Sequence, residues 1–306
     1  MLNNQPTRVL ITGAGGQLGQ SFQWLQRTAA YPEIELIFAT HQELDICDAA
    51  TIASFLDATP VDVLVNAAAY TAVDDAESNP RQADRVNAVA TRLLAQACRQ
   101  RGIWMLHIST DYVFDGTKSE PYGEDDAVNP LSAYGKTKLA GEQAVQRAAP
   151  NAAIVRTSWV FSPFGRNFLK TMLHLAKSRA DLNIVNDQFG GPSYAMDVAR
   201  ILLRLIEQNF KNGPVPGGVY HFAGTPHVSW FEFSNNIFKQ ATELGLLTQA
   251  PRIHGIPSSS YPTPAPRPEN SRLSNAKLEK ILGDLDCDWQ RGVHESLLYL
   301  KTKNAL

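Results

Sequence analysis

Five residues, Arg8–Thr12 (RVLIT), run straight into the segment TGAGGQLG at 12–19. A short apolar run that ends in glycines reads as a buried strand, and Gln17–Thr28 after it has helical spacing. Strand, glycine turn and helix in this order leave the free N–H groups and positive dipole end of a helix open to an anion. Gly13, Gly16 and Gly19 form GxxGxxG, with Gly15 as a fourth glycine; position 18 is Leu18, so the spacing is not GxGxxG. These glycines, with Gln17 and Leu18 opening the helix, are candidates to hold a dinucleotide diphosphate. By itself such a turn also occurs without a ligand; its place between the first strand and the first helix is what points to binding.

The same alternation continues. Ile34–Thr40, Val61–Asn66, Trp104–Ser109 and Ala152–Thr157 read as further strands. Helices are expected from an Asp48 cap through Leu56, over Pro80–Arg101 with Gly102 ending it, and over Pro130–Ala149. This βαβα order predicts an α/β fold: a doubly wound parallel sheet with helices on both faces, over a dinucleotide-binding domain at 1–160. After residue 160 the pattern changes. Helices are expected at Phe168–Ser178, Ala195–Gln208 and Trp230–Leu244, short strands at Leu182–Val185 and Val219–Phe222, and a final helical region from Asn275. Pro251–Pro268, rich in proline and serine, reads as an extended loop. Residues 161–306 are thus expected to be a smaller, mainly substrate-binding lobe, partly interleaved with the first domain.

Composition narrows the function classes. The 306 residues are 44% hydrophobic and 19% charged, with a net charge of −2, as in a folded globular chain. No long basic run calls for nucleic acid or a membrane surface. No apolar stretch approaches the roughly 20 residues that span a bilayer, and the polar start Met1–Arg8 does not read as a signal peptide. Cys47, Cys98 and Cys287 are sparse and scattered, which fits a reducing cytoplasm better than a disulfide framework. Neither they nor the seven histidines have metal-ligand spacing, so no metal is expected.

Chemistry collects at strand ends, where ligands bind such sheets. Tyr134 and Lys138 of YGKTK lie at i and i+4, on one helical face, whereas Lys136 at i+2 faces away. A nearby ammonium favours the phenolate and is expected to lower the tyrosine pKa, so that Tyr134 can give a proton to a carbonyl oxygen. Thr110, after the fourth strand, is placed to hydrogen-bond that tyrosine; the adjacent Ser109 faces the other way. Small residues after the third strand (Ala68, Ala69, then Thr71, in NAAAYTAVD) let a flat cofactor pass close to the backbone. The second strand ends in ATHQ, without the carboxylate that grips the ribose of NAD. Nor is an arginine present there for a 2′-phosphate, so NADPH is favoured and NADH remains open. Asp45 and Ile46 follow as candidates to contact the adenine.

Together these features resemble the extended short-chain dehydrogenase/reductase family, with a Rossmann-type fold. The stretches STDYVFDG (109–116), YGKTKLAGE (134–142), RTSWVF (156–161), NDQFGGPS (186–193) and RPENSRL (267–273) resemble those of its reductases of 4-keto sugar nucleotides. The resemblance runs from Arg8 to about residue 298. It implies hydride transfer from NADPH or NADH to C4 of a dTDP-linked 4-keto-6-deoxy sugar, with Tyr134 as proton donor. It also implies that Lys138 holds the nicotinamide ribose, and that Thr110 and Asp111 face the sugar. Trp159 would pack on the sugar ring and Asn167 would border the pocket. Arg267 or Arg272 would meet the diphosphate. Some members carry acidic residues at a metal-linked dimer contact. Here those regions read Gln20-Ser21 and Ala195-Met196, so a metal-free homodimer or a monomer is expected. An intact YxxxK argues against a regulatory subunit with a vestigial site. An epimerase of the same fold would consume no NADPH.

Overall fold

The computed structural model describes residues 5–28 and 31–303; Met1–Asn4, the start of the polar N-terminal segment, lies outside them. The first half runs β1 (Thr7–Thr12), α1 (Gln17–Gln26), β2 (Ile34–Ala39), α2 (Ala49–Ala58), β3 (Val63–Asn66), α3 (Val73–Ser78), α4 (Pro80–Asp84), α5 (Thr91–Arg101), β4 (Trp104–Thr110), α6 (Ala133–Ala148) and β5 (Ala153–Thr157). The second half adds β6 (Val160–Phe161), α7 (Phe168–Ala176), β7 (Asp181–Val185), β8 (Phe189–Gly190), β9 (Ser193–Tyr194), α8 (Ala195–Glu207) and β10 (Gly218–His221). It ends with β11 (Val228–Ser229), α9 (Trp230–Glu243), β12 (Arg252–Ile256), β13 (Asn270–Ser271), α10 (Ala276–Leu282) and α11 (Trp289–Thr302).

Six strands form one sheet in the order β10-β5-β4-β3-β1-β2, parallel throughout. Both faces are covered, and β1 shows why its residues are apolar without interruption. Val9 and Ile11 enter one buried cluster, while Leu10 between them enters the other. Helices α1 and α8 pack together on the first face; α2, α5 and α6 pack on the second. The strand order reverses between β1 and β3, which opens a crevice above their carboxyl ends. The edge strand β10 comes from the second half of the chain, so that half contributes to the main sheet as well as to three smaller ones.

Two expectations change. Arg252–Ile256, read as loop, pairs in parallel with β7 in register from Arg252↔Asp181 to Ile256↔Val185. Flanking prolines and serines hid five residues whose backbone finds a partner about 70 positions away. The expected helix over Pro80–Arg101 is helical, but Arg85–Ala90 is a π-helical turn. The Asn87 side chain there bonds both backbone groups of Tyr70, at 2.9 and 3.1 Å. Gly141 of α6 packs so closely that a Cβ would lie 2.2 Å from the Asn87 carbonyl oxygen. Gly102 ends α5 with φ +67°, as its position requires.

One buried ion pair joins the sheet to α6. Glu142, on α6, accepts from Arg156 Nε at 2.9 Å and Nη2 at 2.7 Å and from Ser109 Oγ at 2.5 Å. Their side chains are 4% and 2% exposed, which leaves solvent no means of replacing either partner. Arg156→Met should therefore leave the Glu142 charge stranded and cost about 3–5 kcal/mol of stability. Urea denaturation measures this, and the paired replacement Glu142→Leu with Arg156→Met should cost less than the single change.

Candidate active site

The glycine turn is shaped by contacts that exclude side chains. Gly13 has φ +68°, and a Cβ there would meet the backbone of Ala68 at 2.8 Å. A Cβ on Gly19 would lie 2.6 Å from Ala14 backbone atoms, so α1 sits close against the turn. Gly16 occupies the N-cap without a side-chain cap, and the first turn of α1 carries no acid. The N–H groups there are open to an anion. Leu18 turns into the core and offers only its backbone. Gln17 faces across to the β6–α7 loop, where its Oε1 accepts from Ser162 Oγ at 2.9 Å and Asn167 Nδ2 at 2.8 Å.

A cleft of about 390 Å³ opens beside this turn, lined by Gly13, Gly16, Asp45, Ile46, Ala68 and Ala69 among others. It lies over the β1/β3 reversal. The bare glycine backbone, small residues after β3 and unopposed helix terminus fit a dinucleotide. Asp45 and Ile46 are on its wall. Thr71 is exposed in the loop before α3 and does not line the cleft.

The second group is buried at the carboxyl end of β4 and the start of α6. Ser132 caps α6 through Gly135 N at 3.1 Å, so the helix begins at Ala133, three residues after the expected Pro130. Gly135 lets it press on the preceding segment: a Cβ would lie 2.2 Å from the Tyr112 carbonyl oxygen. This presents Tyr134 edge-on to Tyr112, ring centroids 5.6 Å apart. Thr110 stands beside it, its Oγ1 donating to Asp111 Oδ1 at 2.9 Å and accepting from Tyr112 N at 3.2 Å, close enough to the Tyr134 hydroxyl to act on it. Lys138, one turn on, is 2% exposed and donates to the Ile108 carbonyl at 2.6 Å.

The electrostatics differ from the expectation in one respect. Burial pushes the Tyr134 phenol above its ordinary range; the Thr110 contact opposes this and the Asp111 charge adds to it. Lys138 does not lower it here, because its ammonium is directed at Ile108. Lys138 itself is pulled down to about 8 by burial, against the pull of Glu142. Asp111 is raised to about 6, again by burial, although the Thr110 hydrogen bond and the nearby Ser271 hydroxyl resist. Its Oδ2 is buried without a partner among the described residues, an acceptor lacking a donor.

Three expected substrate contacts are engaged elsewhere. Asn167 caps α7 through Lys170 N at 3.1 Å, and its amide also reaches Gln17, Ser162 and Phe164. Its donors and acceptor are all used within the protein. An Asn ahead of a helix serves equally as cap and as ligand contact, and the sequence does not separate the two. Trp159 has φ +48° and stacks on Trp230 at 3.5 Å, which takes one face of its ring and leaves it half-buried. Arg267 is bidentate to Asp74 of α3, at 2.8 and 3.2 Å. Arg272 instead holds Asn270 Oδ1 at 2.8 Å and the Ser119 carbonyl.

Sequence reasoning passed over the groups beneath the site. Glu142 follows Lys138 by four residues and so shares its helical face, and Arg156 interrupts an otherwise apolar strand; both signals were present. Asn66, at the end of β3, accepts from Thr12 Oγ1 at 2.9 Å and meets His107 Nδ1 at 3.2 Å. Burial, reinforced by the Lys138 charge, holds His107 well below its ordinary pKa, so it is neutral.

Known proteins share this architecture along the whole chain. The family model described as RmlD substrate binding domain matches residues 7–301. A dTDP-4-dehydrorhamnose reductase of Aggregatibacter actinomycetemcomitans is 43% identical over 293 residues, covering 95% of this chain and 99% of that protein. The crystal structure of a dTDP-4-dehydrorhamnose reductase from Clostridium acetobutylicum superposes with a TM-score of 0.87 at 37% identity, over 96% of this chain and all of that one. One from Bacillus anthracis, in complex with NADP, gives 0.86 at 32% identity with the same coverage. With matches of this extent to both sequence and fold, the chain belongs to the RmlD substrate binding domain family, within the extended short-chain dehydrogenases/reductases.

Proposed function

We propose that this chain reduces the C4 keto group of dTDP-4-dehydro-β-L-rhamnose to give dTDP-β-L-rhamnose, with NADPH as the preferred reductant. The observation that carries this reading is that Thr110, Tyr134 and Lys138, all buried, gather at the carboxyl end of β4, the strand next to β3, whose following residues line the cleft at the glycine turn. When bound, the nicotinamide supplies the hydride. The residues of the chain supply the proton and the electrostatic setting. Tyr134, kept protonated by burial, donates its hydroxyl proton to the oxygen that becomes the C4 alcohol. An alkoxide binds a proton more strongly than even a raised phenol does, so the transfer runs downhill.

Thr110 orients the Tyr134 hydroxyl and holds it towards the sugar. When the cofactor binds, Lys138 exchanges its bond to the Ile108 carbonyl for the nicotinamide ribose, and its charge then offsets the cost of creating the tyrosinate in a dry site. The buried, unpartnered Asp111 Oδ2 accepts from a sugar hydroxyl. The exposed part of Trp159 borders the ring, and Arg267 releases part of its Asp74 pairing to meet the diphosphate. Residues 161–306 supply most of these substrate contacts, and 1–160 most of the cofactor site. No described helix is long and apolar enough to cross a membrane. The proposed reaction belongs to a cytoplasmic enzyme acting as a monomer or a metal-free homodimer.

NADPH oxidation in the presence of the 4-keto sugar nucleotide tests the proposal directly; a folded protein without turnover overturns it. Tyr134→Phe should reduce kcat by about 10²–10⁴-fold, while the dissociation constant for NADPH, followed by nicotinamide fluorescence, changes little.

The Lys138 ammonium is lost as pH rises through about 8. The profile of kcat/KM should therefore fall above pH 8, with a slope approaching one decade per unit. Lys138→Arg, whose charge does not titrate in this range, should flatten that limb at a lower plateau.

A further inference from the structure

The site needs a means of telling NADPH from NADH, and the end of β2 does not provide one. We infer that Arg85, reaching in from the π-helical turn after β3 and assisted by His41, binds the 2′-phosphate and makes the chain selective for NADPH. This rests on the reading of the cleft as a dinucleotide site.

The argument starts with the acids. A carboxylate at the end of β2 is what grips the ribose hydroxyls of NAD and repels a phosphate. Three acids lie in the loop after β2, and each is engaged within that loop or at the start of α2. Glu43 accepts from Thr40 N and Thr40 Oγ1, both at 2.7 Å. Asp48 caps α2 through Ala50 N at 2.8 Å. Asp45 accepts from Cys47 N at 2.9 Å and stands 3.7 Å from His41 Nδ1. Asp45 alone of the three lines the cleft, and an imidazole is beside it.

The positive charge comes from a different segment of the chain. Arg85 lines the same cleft as His41 and Asp45. It is exposed, and among the described residues its guanidinium has no hydrogen bond or ion pair. Its backbone lies against the loop after β2, where the Cys47 thiol reaches the Arg85 carbonyl oxygen at 3.9 Å. The π-helical turn is itself anchored by Asn87 on Tyr70, so the arginine is presented from a fixed point. A planar guanidinium with free donors suits phosphate oxygens, and it has nothing comparable to grip on a 2′-hydroxyl.

Nicotinamide fluorescence titrations of NADPH and NADH against the full-length chain test this. Wild type should bind NADPH more tightly, and the gap should narrow as salt is raised. Arg85→Ala should weaken NADPH by about 10-fold or more, the scale of a lost charged hydrogen bond, and leave NADH within about 2-fold. His41→Gln should act in the same direction by less. Retained NADH binding shows that the variants are folded with the dinucleotide site intact. An unchanged ratio of the two affinities in Arg85→Ala, or equal losses for both cofactors, would overturn the assignment of Arg85 alone. A wild-type chain that binds neither cofactor would overturn the dinucleotide site itself.

Discussion

Glu142 and Arg156 bring opposite charges into a region where neither reaches water, and the surrounding elements are arranged so that the two meet. Arg156 lies on β5 and Glu142 on α6, with Ser109 of β4 as a third partner. Arg156 also approaches His221 of β10 at 3.4 Å and lies over the Phe114 ring. One charge pair thus fixes α6 against three neighbouring strands. A buried pair of this kind stabilises little compared with apolar packing, but it tolerates no shift in register. Tyr134 and Lys138 sit on the helix that this pair positions.

That placement sets the chemistry above it. Lys138 is buried near a carboxylate already neutralised by an arginine, so Glu142 supports its charge without engaging it in an ion pair among the described residues. Burial draws its pKa down while it raises that of Tyr134. The two shifts move the ammonium and phenol ranges apart, so the lysine gives up its proton well before the tyrosine does. A phenol that keeps its proton suits a donor in the direction of reduction. The dry site also raises Asp111, whose second oxygen has no hydrogen-bond partner among the described residues.

Local features were the legible ones. Tyr134 and Lys138 are four residues apart, and helical geometry alone puts them together. The glycine turn was visible because a strand, a turn and a helix are consecutive. Strand order could not be read, yet it is what brings Ala68 against Gly13 and opens the crevice between β1 and β3. The family resemblance puts Asn167 and Arg267 at the substrate, the arginine also because a guanidinium suits phosphate oxygens. Their bonds to Gln17 and Asp74 depend on segments about 150 and 190 positions away. The Arg252–Ile256 strand was missed for a similar reason: its partner lies across the lobe, and its neighbours resemble loop.

The sequence by itself determined the class of fold, the helical face that carries the proton donor, and a second strand ending without an acid. Each follows from periodicity or from the chemistry of a few adjacent residues, which need no knowledge of distant partners. Tertiary structure decided which polar groups are committed and which are free. The acids after β2 turn back into their own loop, and Arg85 arrives at the cleft from a helix some 40 residues later. A charged side chain acts through whatever stands within a few ångströms of it, and parallel strands joined by helical crossovers place those neighbours far apart in the chain.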